Sequence, residues 1–138
     1  MAGTTSTPIW NQNGEFLTFT VDTGAVTLGQ VVMLTGAETV TGATTGHVGV
    51  IGVAIGGDRI SRTATDDQVA IGGRVTVCTR GVVNCTVGTG TVTAGELVEA
   101  YTTGSVRTHT AGAAVYPAVL GKALTTSTTT VKVLIGLI

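Results

Sequence analysis

Val26-Thr27-Leu28-Gly29-Gln30-Val31-Val32 and Val92-Thr93-Ala94-Gly95-Glu96-Leu97-Val98 are two versions of one phrase, 66 residues apart. A second pair follows at an offset of 69, where Val50-Ile51-Gly52-Val53-Ala54-Ile55 matches Val119-Leu120-Gly121-Lys122-Ala123-Leu124. Each half then ends in a hydrophobic strand, Val69-Ala70-Ile71-Gly72-Gly73 and Val131-Lys132-Val133-Leu134-Ile135-Gly136. The order in each half is turn glycine, strand, short Thr-rich hairpin, Gly-containing buried strand, polar loop and closing strand. Two copies are too few for a solenoid, which needs about three or more. They suit the two halves of one small barrel or sandwich. The expected architecture is an extended arm over residues 1–14 and an all-β domain over 15–138, with halves at about 26–78 and 92–138.

Composition agrees with strands. Thr (29), Val (21) and Gly (21) supply 71 of the 138 residues. Thr and Val are β-branched and stiff at χ1, which disfavours helix, and glycine serves the turns. No stretch repeats apolar residues at i, i+3, i+4 and i+7 over three turns. Strands are expected near 16–21, 30–34, 39–41, 48–55, 68–79, 82–87, 97–101, 106–109, 118–124 and 130–137. A closed barrel would also remove the sticky edges that so many strands create.

The arm contains Pro8-Ile9-Trp10, an apolar knot holding the only tryptophan. A segment built to be solvated rarely carries Ile-Trp, so an ordered contact is expected there. The first residues have neither a basic nor an apolar region of the kind a signal peptide needs, which points to synthesis in a cytosol. Cys78 and Cys85 are expected to be free thiols in such a compartment. A hairpin turning at 80–83 would let them face each other. A strand running straight through would put them on opposite faces, about 23 Å apart.

The formal net charge of −1, with seven scattered Lys and Arg, leaves no basic surface for nucleic acid or anionic membrane. The longest apolar run, Val131 to Ile138, is interrupted by Lys132 and too short to span a bilayer. Few charged residues and a mean hydropathy of +0.47 instead suggest surface buried in an oligomer.

Asp22-Thr23-Gly24-Ala25, after a hydrophobic strand, is similar to the active-site signature of retropepsin-type aspartic proteases, where two such Asp residues share a proton. That would make the chain a homodimeric protease using Asp22. Against it, the second motif expected of that family has its nearest match at Leu134-Ile135-Gly136, at the chain's end, and Asp-Thr-Gly is also a good turn. A glycan-binding β-sandwich on a virion surface is the other alternative, with only Trp10, Tyr101 and Tyr116 to stack on sugars. Gly46 to Gly52 has the glycine spacing of a phosphate loop but no following Gly-Lys-Ser/Thr. His47 and His109 lie 62 residues apart without ligand-spaced partners, so no metal is expected. Asp66-Asp67 reads as a solvated turn, and no Gly-x-Ser-x-Gly elbow is present. No catalytic residue, cofactor or small-molecule substrate is therefore expected.

The repeated pattern, Val-Thr-x-Gly-x-x-Val, hairpin, then hydrophobic-Gly-x-Ala-hydrophobic, closed by Val131-Lys132-Val133, resembles the small capsid cement or decoration proteins of tailed bacteriophages. The resemblance covers about residues 16–138, most closely in the second copy. It implies a β-barrel that trimerises on the outer capsid surface and clamps neighbouring major capsid proteins without an active site. The polar loop at 58–67 and the Ile9-Trp10 arm depart from the family pattern. Pro8, Ile9, Trp10 and Phe16 are the expected capsid contacts.

Overall fold

A computed structural model describes residues 14–45, 49–58, 67–110 and 118–136. Among these the chain is all β: Glu15–Val21 (β1), Val26–Thr27 (β2), Val31–Gly36 (β3), Thr39–Gly42 (β4), Val50–Gly57 (β5), Gln68–Val69 (β6), Arg74–Thr86 (β7), Leu97–Ala100 (β8), Val106–Thr108 (β9), Val119–Ala123 (β10) and Thr130–Ile135 (β11). Most of the expected strands are present to within a residue or two. Most of the arm, His47, Asp66, Tyr116 and nearly all of the 58–67 loop lie outside the described residues.

Nine strands form one sheet in the order β1-β4-β3-β5-β7-β11-β10-β8-β9, and a further β1–β7 pairing closes the first five into a small barrel. That closure lets side chains as small as Val and Ala build a core, since β1 and β7, the two ends of the five-strand run, pair with each other. The remaining strands continue from the second half of β7 through β11, β10, β8 and β9. A single parallel bridge, Val87 to Val106, brings their ends together.

The repeated phrase has a local physical meaning. Gly29 (φ 97°) and Gly95 (φ 93°) both occupy a left-handed turn that other residues adopt at a cost. Their N–H groups donate to the carbonyls of Ala54 (2.7 Å) and Ala123 (2.8 Å). The residue after each glycine supplies a side-chain oxygen: Gln30 Oε1 accepts from Thr27 N at 3.1 Å, and Glu96 Oε1 from Thr93 N at 2.8 Å. The ladders match as well. Val32 stands opposite Gly52 and Ala54 opposite Val77, while Val98 stands opposite Gly121 and Ala123 opposite Val133.

β7 departs from the sequence expectation. The strand expected over 68–79 is broken by the Ala70–Gly73 turn, and Arg74–Thr86 then runs unbroken through Gly81. Its first part lies between β1 and β5, and its second part pairs with β11. The ladder skips Thr79, with Phe16 opposite Cys78 and Glu15 opposite Arg80, and Gly81 follows at φ 144°. One extra residue reverses the alternation of faces. Val75 and Val77 therefore line the core of the first barrel, while Cys78, Val83 and Cys85 line the second core. The opposite-face placement of the cysteines is thus corrected: the strand does run through, yet both sulfurs enter one core. Both are buried and unbridged.

Valine dominates both cores, so strands approach closely, and two glycines sit where nothing larger fits. A Cβ on Gly52 would overlap the Cys78 carbonyl oxygen, and one on Gly121 the Leu134 carbonyl oxygen. Gly56 has open space instead. Gly121→Ala is expected to cost about 2 kcal/mol in chemical denaturation, with Gly56→Ala neutral within about 0.5 kcal/mol. Equal effects at the two positions would contradict the close approach.

Burial pushes the Cys85 thiol up to about 12, with Cys78 adding to the rise. In the unfolded chain the same thiol ionises near its ordinary 9.0. Below that value both states hold the proton and stability is unaffected. Above it the unfolded state releases its proton first, so stability falls up to about pH 12, by at most about 1.4 kcal/mol per pH unit. Denaturation midpoints between pH 8 and 11 should fall more steeply in the native protein than in Cys85→Ala. Parallel curves would contradict this.

Candidate functional site

Among the described residues two places stand out, a buried polar cluster on β8 and β9 and the exposed start of β1. Opposed residues of a tight antiparallel pair share a face. Glu99 stands opposite Arg107 in the β8–β9 ladder. Its carboxylate, 2% exposed, accepts from Arg107 Nε at 2.8 Å on one oxygen and contacts His109 Nδ1 at 2.7 Å on the other. The Arg107 guanidinium carbon lies 4.9 Å from the centre of the Tyr101 ring. Every member of this cluster is engaged by another. Among the described residues no group of three His, Cys, Asp or Glu is arranged to hold a metal ion. The arrangement ties β9 to β8 and offers no free nucleophile.

Sequence reasoning passed over this cluster. Its signal was present, however: acid and base at mirrored positions of a short hairpin, in strands otherwise made of Val, Leu, Ala and Thr.

The other candidates are placed apart from one another. Asp22 is exposed in the turn after β1, where its N–H donates to the Val40 carbonyl and its own carbonyl accepts from Gly24 N at 2.9 Å. Thr23 beside it has φ 75°, the conformation of a turn. Of the described serines, Ser105 Oγ donates to the Thr102 carbonyl at 2.7 Å, and Ser127 Oγ accepts from Thr129 N and Thr130 N. Tyr101 lies under Arg107, while Trp10 and Tyr116 are outside the described residues. A shallow cleft of about 420 Å³ lies between the two halves, along Thr27–Gln30 and Thr102–Ser105. Gln30 crosses this seam, donating from Nε2 to the Thr103 carbonyl at 3.1 Å.

Of the four expected contact residues, Phe16 is described. It stands on β1 opposite Cys78, 43% exposed, with the Gly14 backbone against its ring. Leu17, 55% exposed, follows it on the face that continues into Phe19 and Val21 of the first core. β4 joins β1 only at Thr20 and Val21, so from Phe16 to Phe19 no described strand pairs the edge away from β7. Pro8, Ile9 and Trp10 lie outside the described residues.

The described residues thus form a closed β-barrel with a second core, a buried polar cluster engaged within itself and exposed apolar side chains at the start of β1. Residues 11–136 match the model of the phage cement protein family, and the chain belongs to that family. Its fold is similar to the crystal structure of the head fiber gp8.5 N base in bacteriophage phi29. The TM-score is 0.57 at 12% identity, over 89% of this chain and 94% of that chain. Likeness at that identity is one of fold. No curated protein matches the sequence. The family gives a virion structural role.

Removing Glu99 leaves His109 buried with its acidic partner gone. Glu99→Leu should therefore destabilise the protein by about 3 kcal/mol, at the lower end for buried pairs because Arg107 keeps some solvent. A shift of the urea midpoint worth less than about 1 kcal/mol would show that the cluster is dispensable.

Proposed function

We propose that the protein decorates the outer surface of a phage capsid, binding the lattice of the major capsid protein as a homotrimer and stabilising it without a catalytic step. The observation that carries this reading is the cement-family match over residues 11–136, on a fold whose buried Glu99 cluster is engaged within itself. The net charge of −1 fits a partner that is protein rather than nucleic acid or membrane. Synthesis in the host cytoplasm precedes attachment in this reading.

The grip on the shell is assigned to the arm and the rim it leads into: Pro8, Ile9, Trp10 and Phe16. The family match begins after Trp10, so the Ile-Trp pair lies outside the matched residues. A small barrel offers a modest patch, whereas stable interfaces bury about 800 Å² per partner. Fourteen extended residues reach about 45 Å and add area without enlarging the barrel. Ordering such a segment costs entropy, which a tryptophan anchor offsets and Pro8 reduces.

Deleting residues 1–14 should leave a folded protein that binds undecorated shells more weakly by about 2 kcal/mol or more, close to thirtyfold. Cosedimentation with empty shells measures this. Full-strength binding by the truncated chain would remove the arm from the contact.

A further inference from the structure

The two halves of the chain touch through a contact whose two sides also occur, unused, at its two ends. In the first half, the row Val31, Val53 and Cys78 runs across β3, β5 and β7 and is at most 1% exposed. The second half sits on this row. Val31, Val53 and Cys78 share a core with Val83 of β7 and Ala100 of β8, and Gly104 N donates to the Ala43 carbonyl at 3.0 Å.

Ladder positions identify the counterparts. Leu97, Lys122 and Leu134 form the same row across β8, β10 and β11, with Lys122 exposed and the leucines half-buried. Leu17 and Leu34 precede Val83 and Ala100 by the same 66 residues, but are 55% and 38% exposed. The first half thus shows to solvent the rim that the second half buries, and the second half shows the row that the first half buries.

Charge separates the two settings. Within the chain, Gly81 and Gly104 border the rim and Val53 centres the row. At the free ends these positions are Glu15, Glu38 and Lys122. Glu38 keeps the left-handed backbone of its counterpart, φ 59° against 74° for Gly104. A glycine in that conformation needs no explanation, whereas a glutamate placed there is strained. Two carboxylates around one apolar rim and an ammonium in the middle of one apolar row are complementary.

We propose that the Leu17–Leu34 rim of one copy docks on the Leu97–Lys122–Leu134 row of another, repeating between molecules the contact that joins the halves within one. This rests on the self-association proposed above and supplies its geometry. The contact is head-to-tail, so each copy uses both surfaces and a ring closes when the rotation between copies allows.

Sedimentation velocity and native mass spectrometry of the full chain test it, with thermal melts to establish that each variant folds. Leu17→Asp, Leu134→Asp and Lys122→Glu should each weaken assembly by at least about tenfold. Pairing Lys122→Glu with Glu38→Lys should restore part of the loss. An equimolar mixture of Leu17→Asp and Leu134→Asp should form dimers and stop there, because each chain keeps one intact surface. Wild-type protein that is monomeric at about 100 μM overturns the proposal. So do folded single variants that assemble as the wild type does, or a mixture that stays monomeric. Shell binding is scored separately: protein that assembles through this contact yet ignores shells overturns capsid decoration alone.

Discussion

β7 is the constraint from which the rest of the structure hangs. Thirteen residues in one strand pair with β1 and β5 along the first part and with β11 along the second. The extra residue at Thr79 and the turned backbone at Gly81 swap its faces between the two parts. Without that reversal, Val83 and Cys85 would point away from the second core and Cys78 would be stranded on the other side. A single backbone irregularity thus lets one strand serve two cores, and it explains why a chain of only 138 residues closes one barrel and still builds a second packed layer.

Valine is the natural filler for such small spaces. It is short, stiff and β-favouring, so it gives up little rotamer freedom on burial. The cost is intolerance of volume change, visible at Gly52 and Gly121, where one carbonyl passes within contact of each α-carbon. Polar content is handled as economically. Glu99 serves Arg107 and His109 together, while the described serines bind turns of their own neighbourhoods. Among the described residues, three of the five large exposed apolar side chains, Phe16, Leu17 and Leu34, stand on β1 and β3, with Ile71 in the 70–73 turn and Leu124 just after β10.

Strand positions were legible because Val/Thr runs punctuated by glycine admit little else, and the Gly29 and Gly95 turns are readable as glycines that only a left-handed turn requires. Three features were not. The break at Ala70–Gly73 was hidden because Gln68–Val69 and Arg74–Thr79 read as one hydrophobic run, although the turn is signalled by Gly72-Gly73. The face reversal in β7 could not be foreseen, since a bulge is a property of the pairing and not of either strand alone. The Glu99 cluster required a register, Glu99 opposite Arg107, before its charges could be seen as partners. Of the residues expected at a contact surface Phe16 is the described one, and its exposure beside Leu17 is something the alternation of β1 allows but does not dictate.

Belonging to the phage cement family fixes the biological setting, and the fold gives that setting a physical form: a nearly neutral β unit with exposed apolar side chains on β1 and β3. The most direct measurement is a cryo-electron reconstruction of phage shells with and without added protein. Capsid decoration predicts ordered density of barrel size on the outside of the shell, grouped in threes, with the arm and Phe16 turned toward the major capsid protein. Shells that show no added outer density at saturating protein would contradict the account.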